Sequence, residues 1–574
     1  MRPVPDHADD AAFRQELVAA KHQLAASVAD PAQAQRHVFE ELLAQVAGTK
    51  FATEHGLSGV RTLDDYRRAV PLRTYQEYDP WLARAADGEP GVLTREEPRL
   101  FFTTSGSTGS RKRIPVTEPF LRQVYLPYFR AAMGVPAEYF PDSLSLGAAT
   151  LNLRHDRLAR PNTTGSGRPS LGPSQADLRG GFGVTLREPG SEAPWAELPV
   201  PVDERDYLEK LYLRLRMAVE HDVRCVIGHN PTMLAMLPEL LTQWWPRILR
   251  DVRDGTLGGR PGGTPDPVRA ADLERHGPVP AAVWPRVRVL YCWTSGVASL
   301  YLPRLREVYG DDVTVLPTPA AASEGPVGVP LDRHPHAGHL AVSSALYEFV
   351  DAADDVRADS PTLLYDELEP GRDYHVVFSH LGGLYRYVLG DVAHVVDRAG
   401  TLPRVAYAGR AGLSDVAGER LREVQLVRAV AEASRRTGTD VINMTGRPER
   451  AAGSHHHTVG SHHYTVAVAF HGAGTSDVAS FAGVLDDALC RANPDYRRAR
   501  EGGALAAARV LPVPTSAFVA NWHRRVASGM RPPEVKDQVF QADDAAWDLI
   551  TAGGRQTRKG FSENREAPGQ RPNR

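Results

Sequence analysis

The segment of this sequence best equipped for chemistry is Phe101-Phe102-Thr103-Thr104-Ser105-Gly106-Ser107-Thr108-Gly109-Ser110-Arg111-Lys112-Arg113-Ile114-Pro115. A β-rich stretch enters a loop whose glycines let backbone N–H groups approach an anion, whose hydroxyls donate further hydrogen bonds and whose basic residues add positive charge. Such a loop suits a phosphate chain, although the same composition also makes an ordinary turn. It is not a Walker A loop: counted from Gly106, Arg111 stands where the second glycine belongs.

Other groups say less when read alone. Ser323-Glu324 reads as a helix N-cap, Gly390-Asp391 as a turn and Lys536 as a solvated surface lysine. The run Ser454-His455-His456-His457-Thr458-Val459-Gly460-Ser461-His462-His463-Tyr464 has imidazoles enough for a transition metal. The sequence places no acidic or cysteine partner there, and a histidine-rich hairpin loop accounts for it. Cys225, Cys292 and Cys490 are dispersed and odd in number, so neither a disulfide framework nor a CxxC site is expected, and a reducing cytoplasm fits.

Several elements must position these groups. Apolar residues at helical spacing over 13–46, broken at Asp30-Pro31, predict two amphipathic helices. Residues 99–103, 223–228, 287–293 and 313–317 read as buried strands, with helical periodicity following at 232–241 and 300–309. That alternation predicts an α/β domain with substantial parallel sheet and its chemistry in the loops. The Gly/Pro-rich stretch 254–280 is taken as a surface excursion, because element signals continue on both sides. The expected division places a large domain at 1–408, a smaller α+β domain at 409–552 and a disordered basic tail at 553–574.

With 574 residues the chain exceeds one usual hydrophobic core, and its 42% hydrophobic and 24% charged residues are globular values. No apolar run reaches membrane-spanning length, and the N-terminus lacks the apolar core of a secretory signal. A formal net charge of -3 argues against a nucleic-acid or anionic-membrane partner, which leaves a small molecule.

The loop and its surroundings resemble the Gretchen Hagen acyl-acid amido synthetases, a branch of the adenylate-forming superfamily, and their bacterial members in particular. The likeness runs through Thr49-Lys50-Phe51, His55-Gly56-Leu57, Val70-Pro71-Leu72, Tyr75 to Tyr78, Gly88-Glu89 and Val92-Leu93-Thr94 into the loop. The family's Tyr-x-Ser-Ser-Glu motif is similar to Ala320-Ala321-Ala322-Ser323-Glu324, with Ala320 and Ala322 replacing the tyrosine and first serine. Its Tyr-Arg-x-Gly-Asp motif resembles Tyr387-Val388-Leu389-Gly390-Asp391, where Val388 replaces the arginine and Arg386 is the nearest substitute, sharing that face only if the strand is regular. Tyr407 to Arg410, residues 413–423 and Gly529 to Lys536 look like the family's hinge, the segment after it and the stretch bearing a mobile lysine.

The resemblance covers about residues 35–540 and implies a large domain with mixed and parallel sheets and a small mobile C-terminal domain. It implies an ATP-dependent acid–amine ligase that adenylates a carboxylic acid with Mg-ATP, releases pyrophosphate, and transfers the acyl group to an amine or amino acid. By resemblance Thr104, Ser105, Gly106, Ser107, Thr108, Gly109, Ser323, Tyr387, Asp391 and Arg410 bind nucleotide, with Asp391 on the ribose. Glu324 holds Mg²⁺, an ion suited to carboxylate oxygen, and Lys536 meets the α-phosphate. His229, where the superfamily lines its acyl pocket, is the candidate substrate contact, and a structural histidine fits equally. An acyl-CoA ligase with the same first step and a non-catalytic nucleotide binder are the alternatives. The alanine- and arginine-rich, lysine-poor composition fits a bacterial protein of specialised metabolism.

Overall fold

The computed structural model describes residues 9–103, 112–154, 162–172, 178–450, 462–471 and 477–552. Two helices open the chain, α1 (Asp10–Ser27) and α2 (Pro31–Val46). Asp30 separates them by accepting the Gln33 N–H at 2.9 Å, while Pro31 sits in the first turn, where no N–H is needed. A capping box opens α3 (Tyr75–Ala86): the Thr74 N–H donates to Glu77 at 2.7 Å. Tyr78 and Leu82 of α3 enter a core that also holds Phe51, Leu93 and Tyr385. The Tyr78 hydroxyl donates to the Tyr385 carbonyl and accepts the Tyr385 N–H at 2.9 Å, and the Tyr385 hydroxyl donates to the Leu93 carbonyl at 2.7 Å.

Strands β1 (Leu100–Thr103) and β2 (Arg113–Val116) pair antiparallel, with Thr103 opposite Arg113. Next come β3 (Thr150–Asn152), β4 (Cys225–Ile227), β5 (Val289–Cys292) and β6 (Thr314–Pro317), all parallel in the order β6-β5-β4-β3. Every residue of β3, β4 and β5 is buried, as expected of a sheet covered on both faces. The long helix α4 (Leu237–Asp254) follows β4, and the stretch read as a surface excursion carries a helix of its own, Pro267–His276. Arg269 on that helix is buried and donates to the carbonyls of Val219 and Val283.

A seven-stranded antiparallel sheet forms among the described residues from β7 (Ala320–Ala322), β8 (Gly325–Val329), β9 (Gly338–Leu340), β10 (Leu346–Asp351), β11 (Asp373–His380), β12 (Leu384–Ala399) and β13 (Leu402–Arg410). Its order is β7-β8-β9-β13-β12-β11-β10. The family likeness gives mixed sheets, but the elements read from the sequence did not include this one.

Two units are distinguished by their internal contacts, Met1–Ala298 with Leu305–Ala411, and Ser299–Arg304 with Gly412–Arg574. In the second, α5 (Glu423–Thr437), α6 (Val478–Ala492) and α7 (Thr515–Ala527) accompany β14 (Val441–Arg450), β15 (His462–Phe470) and β16 (Arg509–Pro512). β14 and β15 are antiparallel, and β15 and β16 parallel. No helix of the described residues is long and apolar enough to cross a membrane.

Candidate active site

Glu324 lies in the tight turn between β7 and β8, where Ala322 pairs with Gly325. Read in isolation, Ser323-Glu324 suggested a helix N-cap; the structure makes it a hairpin turn, because a strand precedes it and another follows at once. The Glu324 side chain is nevertheless buried, with 4% of its surface exposed. Lys112, one residue before β2, places its Nζ 2.8 Å from Glu324 Oε1 and 3.1 Å from the Tyr387 hydroxyl. That hydroxyl, on β12, donates to the same Glu324 oxygen at 3.1 Å.

Two aromatic rings flank the Lys112 ammonium, Tyr75 at 5.4 Å and Tyr387 at 5.8 Å from their centroids, a cation–π arrangement. Tyr75 also accepts the Arg113 N–H at 2.9 Å, so α3 fixes the start of β2. Burial first, and the adjacent Glu324 charge second, push the Tyr387 phenol well above its ordinary value, so it remains a donor. Beside them the His380 ring stacks on Phe378, and its Nδ1 accepts the Gly382 N–H at 2.9 Å. Burial lowers that imidazole to about 3, which makes it a neutral packing element.

Further along β12, Gly390 has a φ of 81°, a left-handed conformation that suits glycine and interrupts the strand's regular path. Asp391 follows and pairs with Arg410 at the end of β13, Oδ1 to Nη1 at 2.8 Å. Gly390-Asp391 is therefore part of a strand and not the free-standing turn that the dipeptide suggests. The structure brings Tyr387, Asp391 and Arg410 onto two neighbouring strands and Ser323 next to Glu324.

Arg386 does not substitute for the arginine replaced by Val388. Its φ is 49°, so the strand is irregular there and the expected alternation fails. The guanidinium is buried and grips Glu348 at 2.9 and 3.1 Å, while Nη1 donates to the carbonyls of Arg67 and Val70. Val388 itself packs against an apolar cluster of Leu72, Val350 and Val377.

His229 follows β4, half-buried, with its ring 6.0 Å from that of Trp293 after β5. The Trp293 N–H donates to the His229 carbonyl at 2.8 Å, so the ends of two adjacent parallel strands are tied together. Such carboxyl ends are where open α/β sheets bind ligands. Thr104, Ser105, Gly106, Ser107, Thr108 and Gly109 lie outside the described residues, as do Ser454 to Ser461 of the histidine run and the basic tail. Lys536 belongs to the second unit, with its side chain exposed. Burial pushes the Cys225 thiol up to about 12, so it is an inert core group.

Residues 20–314 match the GH3 family N-terminal domain, residues 338–410 its central domain and residues 424–544 its C-terminal domain. The chain belongs to the GH3 family. A relative named probable indole-3-acetic acid-amido synthetase GH3.12, from Oryza sativa subsp. japonica, is 26% identical over 434 residues, covering 67% of this chain and 70% of the relative. Jasmonoyl-L-amino acid synthetase JAR6 of Nicotiana attenuata is 24% identical over 465 residues, covering 75% and 78%. A solved AtGH3.15 acyl acid amido synthetase in complex with 2,4-DB shares the fold, with a TM-score of 0.76 over 96% of this chain and 97% of that one at 17% identity.

Within this GH3 chain Lys112 is the residue that motif reading passed over. The basic run at 111–113 was legible as charge, but nothing in its spacing singled out the middle residue or paired it with Glu324, 212 positions away.

Proposed function

We propose that this GH3 chain is an ATP-dependent acid–amine ligase working through an acyl-adenylate. The observation that carries the reading is the Lys112–Glu324–Tyr387 cluster, in which a partly exposed lysine meets a buried carboxylate, with Lys112 following the candidate phosphate loop in sequence. The relatives named as indole-3-acetic acid-amido and jasmonoyl-L-amino acid synthetases support the amide product.

In the first half-reaction a carboxylate oxygen attacks the α-phosphorus of ATP, the bond to the β-phosphate bridging oxygen breaks, and pyrophosphate departs. Negative charge grows on the phosphate oxygens. The Lys112 ammonium and the loop Thr104 to Gly109 stabilise it from the large unit, and Lys536 contributes a second ammonium. Glu324 fits Mg²⁺: it is a hard-oxygen donor, and magnesium characteristically takes one or two carboxylates together with substrate phosphates. When bound, the ion neutralises triphosphate charge. Asp391 and Arg410 form a charged pair able to hold a ribose hydroxyl on the carboxylate and a phosphate oxygen on the guanidinium.

In the second half-reaction an amine nitrogen attacks the acyl carbon, the mixed anhydride bond breaks, AMP leaves and the nitrogen loses a proton. The region from residue 409 onward acts as a mobile lid that carries Lys536 and turns near Arg410 between the two steps. His229 and Trp293 border the acyl group. The setting is the cytoplasm of a bacterium, in specialised metabolism.

The test is product analysis. With ATP, Mg²⁺, one carboxylic acid, mixed amino acids and CoA together, mass spectrometry is expected to find an amide and AMP. A CoA thioester without amide would replace the amine by a thiol acceptor.

A further inference from the structure

Lys536, the lysine proposed for adenylation, sits on a segment that is braced on both sides. Upstream, Pro532–Glu534 forms a 3-10 turn, and Val535 is buried. Downstream, the Gln538 carbonyl accepts the Thr445 hydroxyl at 2.7 Å, the Val539 carbonyl accepts the Gly446 N–H at 2.7 Å, and the Gln541 N–H returns to Gly446 at 2.9 Å. The Asp537 carboxylate is reached by the Asn443 amide at 3.3 Å. All these anchors lie on β14.

The Lys536 peptide carbonyl itself is held from α7, where Arg525 Nη1 donates to it at 2.8 Å. The direction of that carbonyl is set by ψ of Lys536, and φ and ψ together fix where its Cα–Cβ bond points. A long four-carbon side chain magnifies any error in that direction at its ammonium. Since the chemistry needs the ammonium at one developing charge, the backbone root has to be fixed although the side chain is exposed.

We propose that Arg525 is a positioning residue for the adenylation half-reaction, holding the Lys536 carbonyl so that the Lys536 ammonium is delivered to the α-phosphate. The inference rests on Lys536 acting in adenylation. Arg525 touches no reacting atom; it acts through Lys536.

The experiment separates the two half-reactions. ATP–pyrophosphate exchange is measured with the most active acid among benzoic, indole-3-acetic and decanoic acids and phenylalanine, and amide formation is measured from the synthetic adenylate of that acid plus mixed amino acids. Arg525→Met, Arg525→Lys and Lys536→Ala are compared with the unmodified protein. Arg525→Met is expected to lower the kcat of exchange about 10–100-fold, with KM for Mg-ATP and the rate from preformed adenylate each within about twofold. Arg525→Lys, which keeps a cationic donor, recovers part of the loss.

Exchange unchanged in Arg525→Met but lost in Lys536→Ala overturns the inference alone. Equal loss of both half-reactions in Arg525→Met, or no recovery in Arg525→Lys, makes Arg525 a structural residue and also overturns it. Exchange retained in Lys536→Ala, or absent with every acid in the unmodified protein, removes the underlying reading and the inference with it.

Discussion

Arg386 closes on both carboxylate oxygens of Glu348, at 2.9 and 3.1 Å, one residue before the tyrosine that faces Glu324. The pair is buried, and Arg67 and Thr362 complete the hydrogen bonds of Glu348. It anchors an irregular point of β12 immediately beside the candidate site.

Removing one member of a buried ion pair leaves the other uncompensated, at about 3–5 kcal/mol. Arg386→Met is expected to lose stability of that order in urea unfolding, and the double variant Glu348→Leu with Arg386→Met to lose clearly less. A double variant at least as unstable as the single one would show that the charges are not what holds this point.

The same pair predicts acid sensitivity. Burial raises the Glu348 pKa, but the Arg386 charge and the hydrogen bonds from Arg386 and Thr362 outweigh it, so the net shift is downward from the ordinary 4.5. A carboxyl whose folded value lies below its unfolded one contributes stability that is present above 4.5 and lost as pH falls through the folded value. The unfolding midpoint of the natural protein is expected to fall more steeply below pH 4.5 than that of the uncharged double variant, and parallel curves would contradict this.

Lys112 and Tyr387 both contact Glu324 Oε1, but of the two only the lysine offers an ammonium to the adenylation step proposed above. Lys112→Met is expected to lower kcat/KM for ATP about 10²-fold, and Tyr387→Phe about tenfold or less. Steady-state exchange kinetics give both values. A larger loss for Tyr387→Phe would reverse the assignment.

Val388 is packed with Leu72, Val350 and Val377. Restoring the family's arginine by Val388→Arg is therefore expected to destabilise the fold by about 1–3 kcal/mol, through burial of polar surface in an apolar cluster, without raising activity. A gain in exchange rate would mean that an arginine from this position can reach the site.

The sequence was most readable where periodicity and punctuation agree. Asp30-Pro31 marked the start of α2, and the unbroken apolar runs around Cys225 and Val289 marked strands buried on both faces. The antiparallel sheet was harder to see, because β12 contains Arg386 and Gly390 with positive φ and its pairings shift register, which erases the two-residue alternation. Glu324, Tyr387, Asp391 and Arg410 came from motif likeness, since a lone Ser-Glu or Gly-Asp carries no distinctive spacing. Lys112 needed the fold: only the pairing of Arg113 with Thr103 and the return of the chain at Glu324 bring its ammonium to that carboxylate.

The central claim is adenylation, and ATP–pyrophosphate exchange over a panel of aryl, indolyl, fatty and amino acids tests it most directly, with Lys536→Ala and Glu324→Ala alongside. The account predicts exchange that depends on one class of acid and is lost in both variants. No exchange with any acid, in a protein that binds Mg-ATP measurably, would contradict it and leave a nucleotide-binding protein without the ligase step.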